Sequence, residues 1–280
     1  CSTHSSYKRV KDLDIITKYQ DAGHETRLLR PTTLFNSLND WPELWDHVHT
    51  LQFTGGEPII NKEHYDLLES IPQHLKRKIK LRYASNLSYI KFKQYDLVKI
   101  WNEFKSVNIK VSMDGIEGVY NFIRQDGDWD NVYANMLALN AEPTIDVAAG
   151  ITIQAHNIFH LPEFYTFWKN NEVDLRFITA NILQTPRYLS PKDWPAEYRE
   201  AIISKLKNAL IEHPEMQKFI TYMESNEPNI RDYAKMRKYN RDLEERYPKD
   251  VTLKSMVKDH LGMELENMKA VHKRLTDEEG

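Results

Sequence analysis

The feature that most constrains this chain is a regular alternation between short apolar runs and longer segments of helical period. Residues 49–53, 79–84, 107–113, 145–153 and 173–178 are rich in large apolar and β-branched side chains and read as strands. Between them lie helical patterns. Tyr65, Leu67, Leu68 and Ile71 share one face, residues 91–104 carry Tyr95, Leu97, Val98 and Trp101, and residues 129–139 and 161–168 repeat the spacing. Strands separated by crossovers of that length pair in parallel through right-handed βαβ units. The predicted fold class is therefore α/β with five parallel strands. Upstream, a weak helical pattern around Leu13, Ile15, Ile16 and Tyr19 gives way to a short helix expected at 39–45.

After Pro186 the character changes. Pro191, Trp194 and Pro195 mark a junction, and residues 196–273 read almost entirely as helix, with Leu206, Leu210, Phe219 and Tyr222 facing inward. The expected organisation is a sheet-bearing core over 1–190 and a helical region over 191–280. Basic and acidic residues number 38 and 41 and are scattered, which argues against a nucleic-acid partner. No apolar run approaches the roughly 18 residues of a membrane span, so no membrane partner is expected. The only cysteine is residue 1, which excludes an intrachain disulfide framework.

Ligands of parallel α/β proteins bind at the carboxyl ends of the strands. Those ends read Thr54-Gly55-Gly56-Glu57-Pro58, Ser85-Asn86, Ser112-Met113-Asp114-Gly115, Thr152-Ile153-Gln154, and Thr179 with Asn181. Every one is polar or glycine-rich. The chain holds only 9 glycines, so an adjacent pair is notable; paired glycines let a backbone approach a ligand closely. Structural roles compete at each position. Glu57 suits a helix N-terminus and Pro58 a first turn; Asp114-Gly115 suits a turn; Asn86 suits a cap; Arg124 suits a surface pair with Asp126 or Asp128. His156 and His160 stand four apart, but without the glutamate of a zinc-protease helix and after a strand, where a loop is expected. Trp101, Trp129, Phe164 and Trp168 read as core, and residues 231–246 as a solvated helix face.

Taken together these motifs resemble the radical S-adenosylmethionine superfamily, and within it the twitch-domain-containing radical SAM proteins. Thr54-Gly55-Gly56-Glu57-Pro58 is similar to the Gly-Gly-Glu motif that holds the cofactor's methionine amino group. Cys1-Ser2-Thr3-His4-Ser5-Ser6 is similar to the segment that begins at the third cysteine of the Cys-x3-Cys-x2-Cys cluster motif. Similar text surrounds Ser112-Met113-Asp114-Gly115, Asn121-Phe122-Ile123-Arg124, Trp129 with Asn135, and Asn157 to Glu163. The resemblance implies a partial (β/α)6 parallel barrel lacking its first strand, with a helical C-terminal extension and a start at the third cluster cysteine. It implies a [4Fe–4S] cluster ligated through Cys1 and S-adenosylmethionine held by Gly55, Gly56, Glu57, Pro58, Asn86, Ser112, Asp114, Arg124 and Thr152. Among these, Ser112 falls on the ribose and Arg124 on the methionine carboxylate. It further implies a cytoplasmic enzyme served by an electron donor such as flavodoxin or ferredoxin. That enzyme, when full length, cleaves S-adenosylmethionine reductively and abstracts hydrogen from an unidentified substrate, with peptide or protein modification as one class.

Cys1 has a competing meaning. As a mature N-terminus it would carry a lipid anchor for a soluble binding domain, or act as an N-terminal nucleophile with its own amine as base.

Overall fold

The computed structural model describes residues 42–247 and 249–279; the helical pattern around Leu13 and the region of Cys1 lie outside them. A 3₁₀ turn at Pro42–His47 leads into β1 (Thr50–Phe53), followed by α1 (Lys62–Ser70), α2 (Gln73–Lys76) and β2 (Lys80–Ser85). A small antiparallel hairpin, β3 (Lys91–Phe92) and β4 (Tyr95–Asp96), precedes α3 (Leu97–Trp101) and β5 (Ser106–Ser112). Then come α4 (Glu117–Ile123), α5 (Trp129–Asn140), β6 (Ile145–Ile153), α6 (Leu161–Lys169) and β7 (Ile178–Ile182). Among the described residues five α-helices follow: α7 (Ala196–Asn208), α8 (Met216–Glu224), α9 (Ile230–Arg246), α10 (Leu253–Leu261) and α11 (Met268–Glu279).

The main sheet is parallel throughout, in the order β1-β2-β5-β6-β7. That order never reverses. A doubly wound sheet reverses direction at a switch point and so receives helices on both faces, whereas sequential strands with crossovers of one hand receive them all on one face, as in an arc of a (β/α) barrel. Burial agrees. Along β5, Val107, Ile109 and Val111 are fully buried while Asn108, Lys110 and Ser112 are only half-buried. The inner face is polar, with Asn108 donating to Asp146 across β5 and β6 at 2.7 Å and Arg176 pairing with the same carboxylate. The outer face is covered by Tyr65, Leu68, Trp101, Met136, Phe164 and their neighbours.

Two elements differ from the sequence expectation. Residues 91–104 were predicted as one helix, but only Leu97–Trp101 is helical, because the hairpin turn puts Lys93 at φ +52° and Asp96 then caps α3 by accepting from Lys99 N–H. The last strand was predicted at 173–178 and lies at Ile178–Ile182. Val173 is buried, but its N–H is held by the Asn171 side chain in a turn rather than by a neighbouring strand. Thr179 and Asn181, expected beyond the strand, therefore lie within it.

The C-terminal helices share one apolar cluster with the sheet-covering helices. Leu206 and Phe219 are buried as expected, and Trp194 anchors the junction by donating its indole N–H to Ala155 O at 3.0 Å. The 231–246 helix is not wholly solvated: Tyr233, Met236, Tyr239 and Asn240 form an inward face.

Asp193, at the same junction, accepts from Asn229 N–H at 3.0 Å, but its second oxygen is buried without a hydrogen-bond partner among the described residues. Burial pushes its carboxyl up to about 6, against the pull of the Asn229 N–H and the Lys192 ammonium. Between the unfolded value and about 6, the unfolded chain has ionised and the folded one has not, so stability falls as pH rises through that window. At about 1.4 kcal/mol per unit the loss approaches roughly 3 kcal/mol. Asp193→Asn is expected to flatten this slope. Urea midpoints at pH 4.5 and 7 for both chains give the check, and parallel slopes would remove Asp193 as the source.

Candidate functional site

The loop after β1 turns through Gly55 at φ +82° and Gly56 at φ +54°, a left-handed conformation that favours glycine. A Cβ on Gly55 would meet nothing within 4 Å, so the space beside this backbone is open. Glu57 then caps the short 3₁₀ helix Pro58–Ile60, with Pro58 in its first turn; the helix-terminal reading of both residues holds. Glu57 does more than cap. Its Oε1 accepts from Ser85 Oγ at 2.7 Å and Ile59 N–H at 3.3 Å, and its Oε2 accepts from Asn86 N–H at 2.7 Å. Burial raises its pKa, opposed by the Asn86, Ser85 and Ile59 donors and by the Arg124 charge. Glu57 thus ties the glycine loop to the end of β2.

The loop beyond β2 is held from the other side. Leu87 is fully buried at φ +53°, a left-handed conformation costly for a leucine. Asn135 and Asn131 of α5 donate to Leu87 O at 3.0 Å and Ser88 O at 2.9 Å, and the Asn86 side chain accepts from Ser88 N–H.

At the end of β5, Ser112 is half-buried in register with Gly150 of β6. Asp114 accepts from Thr152 N–H at 2.8 Å through Oδ1 and pairs with Arg124 Nη2 at 3.0 Å through Oδ2. Both side chains are largely buried, Arg124 at 16% and Asp114 at 12% exposure. Arg124 therefore does not make the expected surface pair: the end of α4 turns it inward over the Tyr120 ring, toward the strand ends. Its Nε is buried and has no partner among the described residues. Asn157, fully buried, donates to Asp114 O and Thr152 O and accepts from Gln154 N–H, binding the ends of β5 and β6 to each other.

The fold thus joins Glu57 to Asn86 and Asp114 to Arg124 and Thr152, with the Arg124 charge acting on Glu57. Gly55, Gly56, Pro58 and Ser112 lie on the same rim of strand ends. Cys1 lies outside the described residues. Ser85, Asn135 and Asn157 were not among the predicted site residues: Ser85 donates to the Glu57 carboxylate, Asn135 holds the Leu87 carbonyl beside Asn86, and Asn157 holds the Asp114 and Thr152 carbonyls. His156 and His160 are both buried and held neutral, burial lowering them to about 4 and about 3. Their rings turn to different partners, Phe122 and His260.

No protein-family model matches the chain, and no curated protein does. Solved structures similar to it include anSMEcpe with bound AdoMet and a Cp18Cys peptide, at 18% identity, TM-score 0.44, covering 64% of this chain and 49% of that one. A second form of anSMEcpe with bound AdoMet gives 20% identity and TM-score 0.44, covering 64% and 46%. Streptococcus suis SuiB bound to S-adenosylmethionine gives 16% identity and TM-score 0.37, covering 74% and 57%. The chain spans about half the length of the solved structures it matches.

An amino-acid-bearing nucleoside presents a carboxylate, an ammonium and a ribose diol. On the rim, Arg124 carries an unpartnered buried donor, Glu57 keeps one unused lone pair, and Ser112 has a hydroxyl, groups whose chemistry matches those three. An iron–sulfur cluster is a different matter, because the described residues contain no cysteine.

Proposed function

We propose that this chain forms the S-adenosylmethionine-binding core of a radical SAM enzyme, with residues 191–280 as a helical region beside it. The observation that carries this reading is the inward Arg124, paired with Asp114 at the end of β5 and retaining an unpartnered buried Nε. A planar guanidinium with a donor to spare binds a carboxylate in a fork. The cofactor, if it were bound beside a reduced cluster, would supply the radical chemistry for hydrogen abstraction. The chain's own residues bind and orient. Arg124 holds the methionine carboxylate, the Gly55-Gly56 backbone and Glu57 hold its amino group, and Ser112 takes the ribose. Asp114 and Asn157 fix the strand ends on which those groups stand, and the Asn86–Ser88 loop closes one side against water.

The test is equilibrium dialysis with labelled S-adenosylmethionine in the absence of iron. Saturable binding is expected from the chain, weakened about tenfold or more by Arg124→Lys, which keeps charge but loses the fork; a tenfold loss is about 1.4 kcal/mol. Absence of saturable binding, or equal binding by the variant, would sink the assignment.

A further inference from the structure

A second polar cluster lies outside the rim described above. His160 and Glu163 sit where the chain enters α6, and His260 stands near the end of α10, about a hundred residues on. One ligand atom from each lies within 4.8 Å of the other two. Two buried atoms here have no hydrogen-bond partner among the described residues: Nδ1 of His160 and Oε2 of Glu163. Nδ1 of His260 is 3.6 Å from the other oxygen of Glu163, and the two imidazole rings meet edge to face at 4.7 Å. Orphaned nitrogen and oxygen atoms converging from separate elements are costly to bury unless something satisfies them.

We propose that His160, Glu163 and His260 form a binding site for a divalent transition-metal ion of the zinc class, which staples the C-terminal helices to the sheet-bearing core. The donor set is two neutral imidazoles and a carboxylate, the combination such ions prefer, leaving a fourth position open. A tetrahedral ion with ligands at 2.0–2.1 Å holds them about 3.3 Å apart, so separations that reach at most 4.8 Å close by up to about 1.5 Å on binding.

Two features set the expected strength. The His160 Nε2 now accepts a long bond of 3.4 Å from Ile116 N–H, which is given up when Nδ1 ligates and the ring proton moves to Nε2. The Lys205 ammonium also stands 2.5 Å from Oε1 of Glu163 and 2.8 Å from His260 O. It is a built-in cation that competes for the same carboxylate. Binding should therefore be real but weaker than in a dedicated structural site, and removal of Lys205 should tighten it. Nothing in this site depends on the cofactor reading, since it shares no residue with the rim.

The experiment is zinc titration of the 280-residue chain against a chromophoric chelator. A Cys1→Ser background prevents the only thiol from contributing. One zinc per chain is expected, with a thermal midpoint that rises with zinc because the ion binds the folded state. His260→Gln and Glu163→Gln should each weaken binding about tenfold or more, and Lys205→Met should strengthen it. Circular dichroism establishes that each variant is folded; if one is not, the other ligand variant decides. No zinc uptake, uptake unchanged by a folded ligand variant, or a Lys205→Met affinity that does not rise would each overturn the site.

Discussion

Arg124→Leu is expected to destabilise the chain by about 3 kcal/mol, because removing one partner of a buried ion pair leaves the other charged and unpaired. Asp114 would keep Thr152 N–H on one oxygen, but its other, largely buried oxygen would lose its guanidinium partner. If that stranded charge is the cause, adding Asp114→Asn should restore part of the loss, since the amide oxygen still accepts from Thr152 while the charge disappears. Urea denaturation of the two single variants and the double variant reads this directly, provided the slope with denaturant stays constant. A loss under about 1 kcal/mol for Arg124→Leu would mean the pair behaves as an exposed one, and the inward placement of Arg124 would fall with it. The same substitution also removes the proposed carboxylate clamp. Stability and cofactor binding must therefore be separated with Arg124→Lys, which preserves the charge beside Asp114.

The parallel sheet was legible because four of its strands are bounded by the same signals, an apolar run closed by a polar or glycine-bearing end. The fifth was displaced because Val173 is apolar for a different reason, packing beneath a turn held by Asn171. The hairpin at 91–96 was hidden by the helical spacing of Tyr95, Val98 and Trp101. Tyr95 owes its apolar surroundings to stacking on Tyr65, 4.0 Å between ring centres, and not to lying on a helix. Asp96 was the available signal, an acid placed to cap the short helix behind it.

The site was legible as positions and not as partnerships. Strand ends identify Glu57, Asn86, Ser112, Asp114 and Thr152, since a parallel sheet brings its carboxyl ends to one rim. Which side chain meets which depends on register across 28 to 38 residues, as in Ser85 with Glu57 or Asp114 with Thr152. Arg124 could be read equally as a neighbour of Asp126 or Asp128, and only the direction in which α4 ends sends it to Asp114 instead. The histidines show the same limit. Their spacing drew attention to His156 with His160, whereas the partner of His160 is His260, brought close by the packing of α10.

Anaerobic treatment of the 280-residue chain with iron and sulfide is expected to yield no stoichiometric [4Fe–4S] cluster and no 5′-deoxyadenosine from S-adenosylmethionine. A cluster of the kind that leaves one iron for the cofactor takes three thiolates, and the chain contains one cysteine. Imidazoles do not make up the deficit. His64 is locked between Phe53 and Tyr83, His156 packs against Phe122, and His160 with His260 belongs to the separate cluster with Glu163, which brings no thiolate. The strand nearest the glycine loop, β1, is also an edge strand among the described residues, so Leu51 and Phe53 have a backbone neighbour on one side only. Reconstitution should be run beside a version that places two further cysteines before Cys1 in Cys-x3-Cys-x2-Cys spacing. Thiolate-to-iron absorbance and 5′-deoxyadenosine are expected from that version alone, because it adds two further thiolates without touching Gly55, Ser112 or Arg124. Cluster and turnover from the unmodified chain would show that iron is held by other groups and that the reading of Cys1 is wrong.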